Sequence, residues 1–106
     1  MFSFLKKDSG KVINVNDIDS MIGKINLIDI REEYEFRGGS IKSAKNIPMR
    51  ELLKNVDKYL KKDEEYYIIC QSGARSSRVC SGLSRQGYDV INVSGGVGSY
   101  IGTNKR

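Results

Sequence analysis

Short apolar runs alternate with helix-like segments along most of this 106-residue chain. The strongest strand signals lie at residues 25–30, 66–70 and 89–93. Short runs that are apolar almost throughout are typical of strands buried on both faces of a sheet. Because helix-like segments separate these runs, the strands are predicted to be parallel and joined by right-handed crossovers. The chain is therefore predicted to form an α/β fold with a central parallel β-sheet and helices on both faces.

A fourth strand and a brief helix are predicted before the first of these runs. Residues 12–15 have the composition of a short strand. Asn16 or Asp17 can then cap a helix that ends at Gly23. This helix carries three apolar residues, Ile18, Met21 and Ile22.

Helical patterns recur between and after the other strands. Residues 31–36 are predicted to form a short helix, and residues 41–48 an extended linker that ends in a proline. The next helix has an apolar stripe formed by Leu52, Leu53, Val56 and Leu60. A longer helix from about residue 74 to residue 85 turns three residues inward, Val79, Cys80 and Leu83. A last short helix contains Val97, Tyr100 and Ile101.

A cysteine ends the apolar run at residues 66–70, and a short loop follows it before the longer helix begins. Backbone N–H groups at a helix N-terminus stabilise negative charge, so Cys70 is predicted to be a reactive thiolate. Arg75 brings a fixed positive charge to the same loop. Cys70 is the candidate nucleophile, and the candidate anion-binding residues are Gln71, Ser72, Gly73, Ala74, Arg75 and Ser76. Cys80 is predicted to pack in the core instead.

The absence of histidine limits the chemistry of this chain. It excludes Ser-His-Asp and Cys-His hydrolase arrangements and most zinc or haem sites. Whatever chemistry Cys70 performs must therefore proceed without an imidazole base. Two cysteines are also too few for a tetrahedral zinc site or a disulfide framework, so no metal or organic cofactor is expected.

Charge and hydropathy bear on partners and location. The net charge is +5, but the lysines are scattered among carboxylates rather than forming one basic stripe, so no nucleic-acid partner is predicted. The first seven residues are too short for a secretory signal, and no run is long enough to span a membrane. These features predict a cytoplasmic protein with no membrane partner, formed by a single domain over residues 1–106.

The cysteine loop and three other segments resemble the rhodanese superfamily. In that family a six-residue loop begins at the catalytic cysteine, which matches the spacing from Cys70 to Arg75. The other segments are Asp29-Ile30-Arg31, residues 39–48 with Ser40 where histidine is usual, and Ser94-Gly95-Gly96. The resemblance covers about residues 12–101. It implies a single rhodanese-like domain that moves sulfane sulfur through a Cys70 persulfide.

The resemblance also implies the partners and leaves two alternatives. The donor would be a small anion such as thiosulfate, or a polysulfide or persulfide, and the acceptor would be a thiol or a protein. Phosphatases and arsenate reductases on the same fold have a loop one residue longer, which opposes that reading. A sulfur-carrier or interaction module without catalysis is the other alternative. For the Asp-x-Arg segment, a purely structural role is also predicted. Asp29 would accept backbone N–H groups, and Arg31 would pair with Glu35.

Overall fold

A computed structural model describes residues 11–106, which form a parallel sheet covered on both faces. The strands of these residues are β1 (Lys11–Asn14), β2 (Asn26–Asp29), β3 (Lys45–Asn46), β4 (Glu65–Ile69) and β5 (Asp89–Ser94). Their spatial order is β1-β5-β4-β2-β3, and every neighbouring pair is parallel. The α/β prediction is thus confirmed.

The described residues also contain four α-helices and three short 3-10 helices, which lie between the strands or, in one case, after the last strand. The α-helices are α1 (Glu33–Arg37), α2 (Met49–Lys54), α3 (Val56–Tyr59) and α4 (Ala74–Arg85). The 3-10 helices are η1 (Val15–Asp17), η2 (Asp19–Met21) and η3 (Val97–Ser99). None of these helices is long and apolar enough to cross a membrane.

The two faces of the sheet are covered differently because side chains alternate along each strand. On one face, Ile28, Ile68 and Val90 pack against residues of α2 and α4. On the other face, Leu27 and Ile69 belong to a second core with residues of η1 and η3. The α-helices that supply core residues therefore lie on one face, and 3-10 helices cover the other.

The brief helix predicted near the N-terminus differs in type and in its cap. Residues 15–21 form two 3-10 helices rather than one α-helix. The capping side chain belongs to Asn14, whose Oδ1 accepts a 2.9 Å hydrogen bond from the Asn16 N–H. Asn14 lies at the end of β1, so its side chain terminates the strand and starts the turn in one step. The predicted caps, Asn16 and Asp17, were wrong.

Three further details of the structure differ from the prediction or add to it. The linker at residues 41–48 contains β3, a two-residue strand that pairs with the end of β2. A break at Asn55 separates α2 from α3, and Leu53 is 47% exposed although Leu52 and Leu60 are buried. The last helix is a single 3-10 turn that leaves Ile101 87% exposed. A break in the helix resets the helical period, which a continuous stripe does not anticipate.

Candidate active site

Cys70 follows β4 directly and is fully buried at the carboxyl edge of the sheet. Its Sγ accepts hydrogen bonds from the N–H of Gly73 at 3.2 Å and the N–H of Ser76 at 3.3 Å. The Ser76 Oγ lies 3.3 Å from the same sulfur. The loop therefore curls around the thiol and directs three polar groups at one atom.

A glycine allows the loop to turn this tightly. Gly73 has φ of +100°, a left-handed conformation that side chains rarely adopt, and it precedes the first residue of α4. A Cβ at this position would also lie 3.2 Å from the Gly95 N. The prediction that a glycine-containing loop joins the strand to a helix at residue 74 agrees with the structure.

The turn after β5 holds the outer side of the loop. The N–H of Val97 donates to the Cys70 carbonyl, and the N–H of Gly98 donates to the Gln71 carbonyl, both at 2.9 Å. Only a glycine fits at position 96, because a Cβ there would collide with the carbonyl oxygens of Cys70 and Gln71. The turn thus engages the loop carbonyls, while the N–H groups of Gly73 and Ser76 remain bound to the sulfur. The Ser94-Gly95-Gly96 segment thus shapes the loop.

These contacts decide the acidity of the Cys70 thiol. Burial raises its pKa, because a thiolate is poorly solvated there. Hydrogen bonds from the hydroxyl and N–H of Ser76, and from the N–H groups of Gly73 and Ser72, lower it by more. The net pKa lies below the ordinary value of a cysteine thiol. The expectation of a stabilised thiolate is consistent with this direction.

Asn92 joins the site from β5, although it is not among the site residues predicted from the sequence. Its Oδ1 accepts a 2.5 Å hydrogen bond from Ser76 Oγ. Asn92 pairs in register with Ile68 of β4, which faces the helix-covered core. A signal was present in the sequence: Asn92 is a polar residue two positions after the buried Val90, where alternation predicts an inward side chain.

Arg75 lies in the first turn of α4, but its guanidinium is engaged by a carboxylate. Its two terminal nitrogens contact the two carboxylate oxygens of Glu35 at 3.0 and 3.1 Å. This hydrogen bonding lowers the pKa of Glu35. Glu35 also accepts from the N–H of Glu32 at the start of α1, so the pair ties α1 to α4. Arg75 is thus a paired cation beside the loop, not a free one.

Arg31 does not pair with Glu35, so the predicted ion pair between these two residues was wrong. Arg31 is buried and forms a two-pronged ion pair with Asp29, its nitrogens lying 2.9 to 3.1 Å from the two carboxylate oxygens. It also donates to Gln71 Oε1 at 3.0 Å, which links the buried pair to the loop. Asp29 accepts the N–H of Arg31, as expected. Arg31 turns inward because Asp29, at the end of a buried strand, needs a compensating charge.

Ser40, which stands where the family usually has histidine, completes this buried cluster. Its hydroxyl donates to Asp29 Oδ2 at 2.7 Å, and the residue is fully buried. The side chain thus satisfies an acceptor on the Asp29 carboxylate rather than reaching the sulfur. The replacement affects packing behind the loop.

The remaining predicted site residues border the mouth of the loop. Gln71, Ser72 and Ala74 are exposed, whereas Gly73 and Ser76 are buried against the sulfur. Cys80 is buried in the core, as expected, and burial raises its pKa to about 12. Within residues 11–106, no group of three or more histidine, cysteine, aspartate or glutamate residues is arranged to hold a metal ion.

Similar proteins share both the sequence and the fold of this chain. A candidate sulfurtransferase of Bacillus subtilis (strain 168) called YtwF is 42% identical over 79 residues, covering 74% of this chain and 76% of YtwF. A sulfurtransferase of Allochromatium vinosum is 39% identical over 72 residues, covering 67% of this chain and 66% of that protein. Two further Bacillus subtilis relatives are matched over only 58% and 42% of their length.

A solved structure and a family model agree with these relatives. The crystal structure of a rhodanese-like domain protein from Staphylococcus aureus superposes with a TM-score of 0.80 at 30% identity, covering 91% of this chain and 96% of that one. The family model for the rhodanese-like domain matches residues 14–102, which include every residue of the loop around Cys70. On this evidence the chain belongs to the rhodanese-like domain family.

Proposed function

We propose that this protein is a sulfurtransferase in which Cys70 carries the transferred sulfur as a persulfide. The observation that carries the proposal is the convergence of the Gly73 N–H and the Ser76 N–H on the Cys70 sulfur, with the Ser76 Oγ 3.3 Å from the same atom. Preorganised donors of this kind stabilise a thiolate without an imidazole base. The family membership and the names of the two sulfurtransferase relatives support the same activity.

The first half-reaction loads the cysteine. The Cys70 thiolate attacks the sulfane sulfur of thiosulfate, so a bond forms between Sγ and that sulfur. The bond between the sulfane sulfur and the sulfonate sulfur breaks, and sulfite leaves with the electron pair. The product is a Cys70 persulfide whose outer sulfur carries the negative charge. A polysulfide or a persulfide donor would load the cysteine in the same way, with a different leaving group.

The second half-reaction passes the sulfur on. An acceptor thiolate attacks the outer sulfur, its own persulfide forms, and Cys70 leaves as a thiolate. Cys70 itself is buried, but the outer sulfur projects about 2.0 Å further towards the mouth. The exposed residues Gln71, Ser72 and Ala74 border that mouth, so a thiol of a small molecule or of a protein is a suitable acceptor.

The first turn of α4 supplies charge stabilisation for the outer sulfur. The N–H groups of Ala74 and Arg75 have no acceptor within the helix and begin it beside the loop. The Arg75 guanidinium adds positive charge, oriented by Glu35. No metal or organic cofactor is required for either step. A reducing compartment such as the cytoplasm would keep Cys70 and Cys80 as the free thiols seen in the structure.

Mass spectrometry of the intact protein and its peptides tests the proposal. After treatment with thiosulfate or polysulfide, we expect one added sulfur on the peptide that contains Cys70, removed again by a thiol. Cys70→Ser should abolish this addition and the transfer of sulfur to cyanide, because an alcohol with no nearby base is a poor nucleophile. Cys80→Ser is the matched control and should keep both activities.

Two results would contradict the proposed function. Sulfur addition that persists in Cys70→Ser would move the reaction to another residue. Hydrolysis of an aryl phosphate by the wild-type protein at a higher rate than sulfur transfer would favour the phosphatase alternative. We expect no such hydrolysis, because the loop N–H groups close on the sulfur itself, at 3.2 and 3.3 Å, and leave no wider cradle for a phosphoryl group.

A further inference from the structure

The hydroxyl of Ser76 has one proton but three neighbouring acceptors. Its Oγ lies 2.5 Å from Asn92 Oδ1, 3.2 Å from the Gly73 carbonyl oxygen and 3.3 Å from the Cys70 sulfur. A serine hydroxyl donates only one hydrogen bond. These acceptors therefore compete, and Asn92 is the closest of them.

The outcome of this competition depends on the state of the sulfur. When Cys70 is a thiol, its S–H donates to Ser76 Oγ, and the hydroxyl proton is directed to Asn92. When Cys70 is a thiolate, the sulfur becomes a charged acceptor, and hydrogen bonds to charged groups are roughly twice as strong as neutral ones. The hydroxyl then turns to the sulfur, and Asn92 Oδ1 loses its donor.

We propose that Asn92 is a positioning residue that competes with the Cys70 sulfur for the single hydroxyl proton of Ser76. By accepting this proton, Asn92 destabilises the Cys70 thiolate relative to the thiol. Once the sulfur has been loaded, the inner sulfur no longer carries the charge, and the hydroxyl returns to Asn92. Asn92 therefore favours the persulfide relative to the thiolate. This role rests on Cys70 being the reacting thiol of the proposed function.

Other charged groups near Cys70 act on the sulfur by a different route. Arg75, on α4, interacts with it through its charge, whereas Cys80 on the same helix is a neutral thiol because burial raises its pKa to about 12. Asp29 and Arg31, at the end of β2, form their own buried ion pair. Asn92 carries no charge and reaches Cys70 through Ser76, so its effect is separable from theirs by a substitution at Ser76.

The test measures the pKa of the Cys70 thiol in Asn92→Leu. The readout is the pH dependence of alkylation by iodoacetamide, with peptide mass spectrometry to assign the label to Cys70. We expect the pKa to fall, and alkylation below that pKa to accelerate about twofold to tenfold, the size of one net hydrogen bond. Asn92→Val provides a second variant suited to a strand. The matched control is Asn26→Leu, another strand asparagine, which donates to the Glu65 carbonyl far from the sulfur.

A double variant separates the proposed route from others. In a Ser76→Ala background, Asn92→Leu should leave the thiol pKa unchanged, because the contested proton is gone. An equal fall in that background would overturn the proposal. So would a rise or no change in the single variants, a rise indicating that the Asn92 amide donates to Ser76. Alkylation requires no sulfur donor, so a wild-type protein that fails to form a persulfide would refute the proposed function and leave this result standing.

Discussion

Cys70 and Cys80 are both buried, with exposed fractions of 0% and 3%, and both belong to the same core cluster. Their acidities nevertheless differ in direction. The pKa of Cys70 is lowered below 9.0, the ordinary value, whereas the pKa of Cys80 is raised to about 12. Burial raises the pKa of both thiols, so burial does not explain the difference.

The difference comes from the backbone around each sulfur. Cys80 lies in the middle of α4, where backbone N–H groups are committed to hydrogen bonds within the helix. Cys70 lies just before α4, where the N–H groups of Gly73 and Ser76 bind the sulfur. A buried cysteine therefore becomes reactive in this fold when a loop and a helix N-terminus direct donors at it.

The largest expected effect is the difference in alkylation rate between the two thiols. Because the pKa values lie below 9.0 and at about 12, the thiolate fractions at neutral pH differ by a factor of more than ~1000. Iodoacetamide at pH 7 should therefore label Cys70 in the native protein and leave Cys80 unlabelled until the protein is unfolded. Peptide mass spectrometry over a time course measures both rates.

The same pKa shift has a consequence for stability. The pKa of Cys70 in the folded chain lies below its ordinary value, so ionisation contributes stability that is fully present above that ordinary value. This contribution is lost as the pH falls through the folded value.

Comparable labelling of Cys70 and Cys80 in the folded protein would remove the comparison on which the proposed function depends.

The second prediction concerns a substitution that moves the loop N–H donors away from Cys70 without changing either cysteine. In Gly96→Ala, the new Cβ collides with the carbonyl oxygens of Cys70 and Gln71 and displaces the loop. We expect sulfur transfer to cyanide to fall about a hundredfold, as when a preorganised donor is lost, and the pKa of Cys70 to rise towards that of Cys80. Thiosulfate–cyanide kinetics and the alkylation profile measure the two effects.

Gly82→Ala is the matched control for this glycine. Gly82 lies within α4, and apart from its chain neighbours and the adjacent backbone of that helix no atom stands within 4 Å of where its Cβ would be. Alanine there should raise the free energy of unfolding by about 1 kcal/mol through helix propensity and leave the activity unchanged. A folded Gly96→Ala protein with a normal Cys70 pKa would mean that the turn after β5 does not shape the loop.

The smallest of the three expected effects is that of replacing Arg75, whose guanidinium charge acts on Cys70. Arg75→Ala should lower kcat/KM for thiosulfate by about tenfold to a hundredfold, because an anionic donor loses one stabilising charge. Arg78→Ala is the control, since Arg78 is an exposed arginine one turn further along α4. Steady-state kinetics measure both variants. Equal values of kcat/KM would mean that Arg75 only links α1 to α4 and does not act on the donor.

The features that could be predicted from sequence are those set by neighbouring residues. The pattern of apolar runs predicted the class of the sheet, and helical spacing predicted α4 from Ala74 to Arg85 with Val79, Cys80 and Leu83 in the core. The order of strand, cysteine, glycine and helix was sufficient to place Cys70 at a helix N-terminus. Each of these inferences depends on residues no more than a few positions apart, because local periodicity decides which face of an element is buried.

Only the tertiary structure decided which side chains meet. Glu35 and Arg75 are 40 positions apart, and Ser76 and Asn92 are 16 apart, and neither pair follows from local spacing. The helical spacing favoured a pair between Arg31 and Glu35, but the buried Asp29 carboxylate holds Arg31 instead. The physical reason is the strand order β5-β4-β2, which brings the ends of three distant strands to one edge of the sheet. Local sequence encodes the strands, whereas their order in the sheet determines which polar groups surround the Cys70 sulfur.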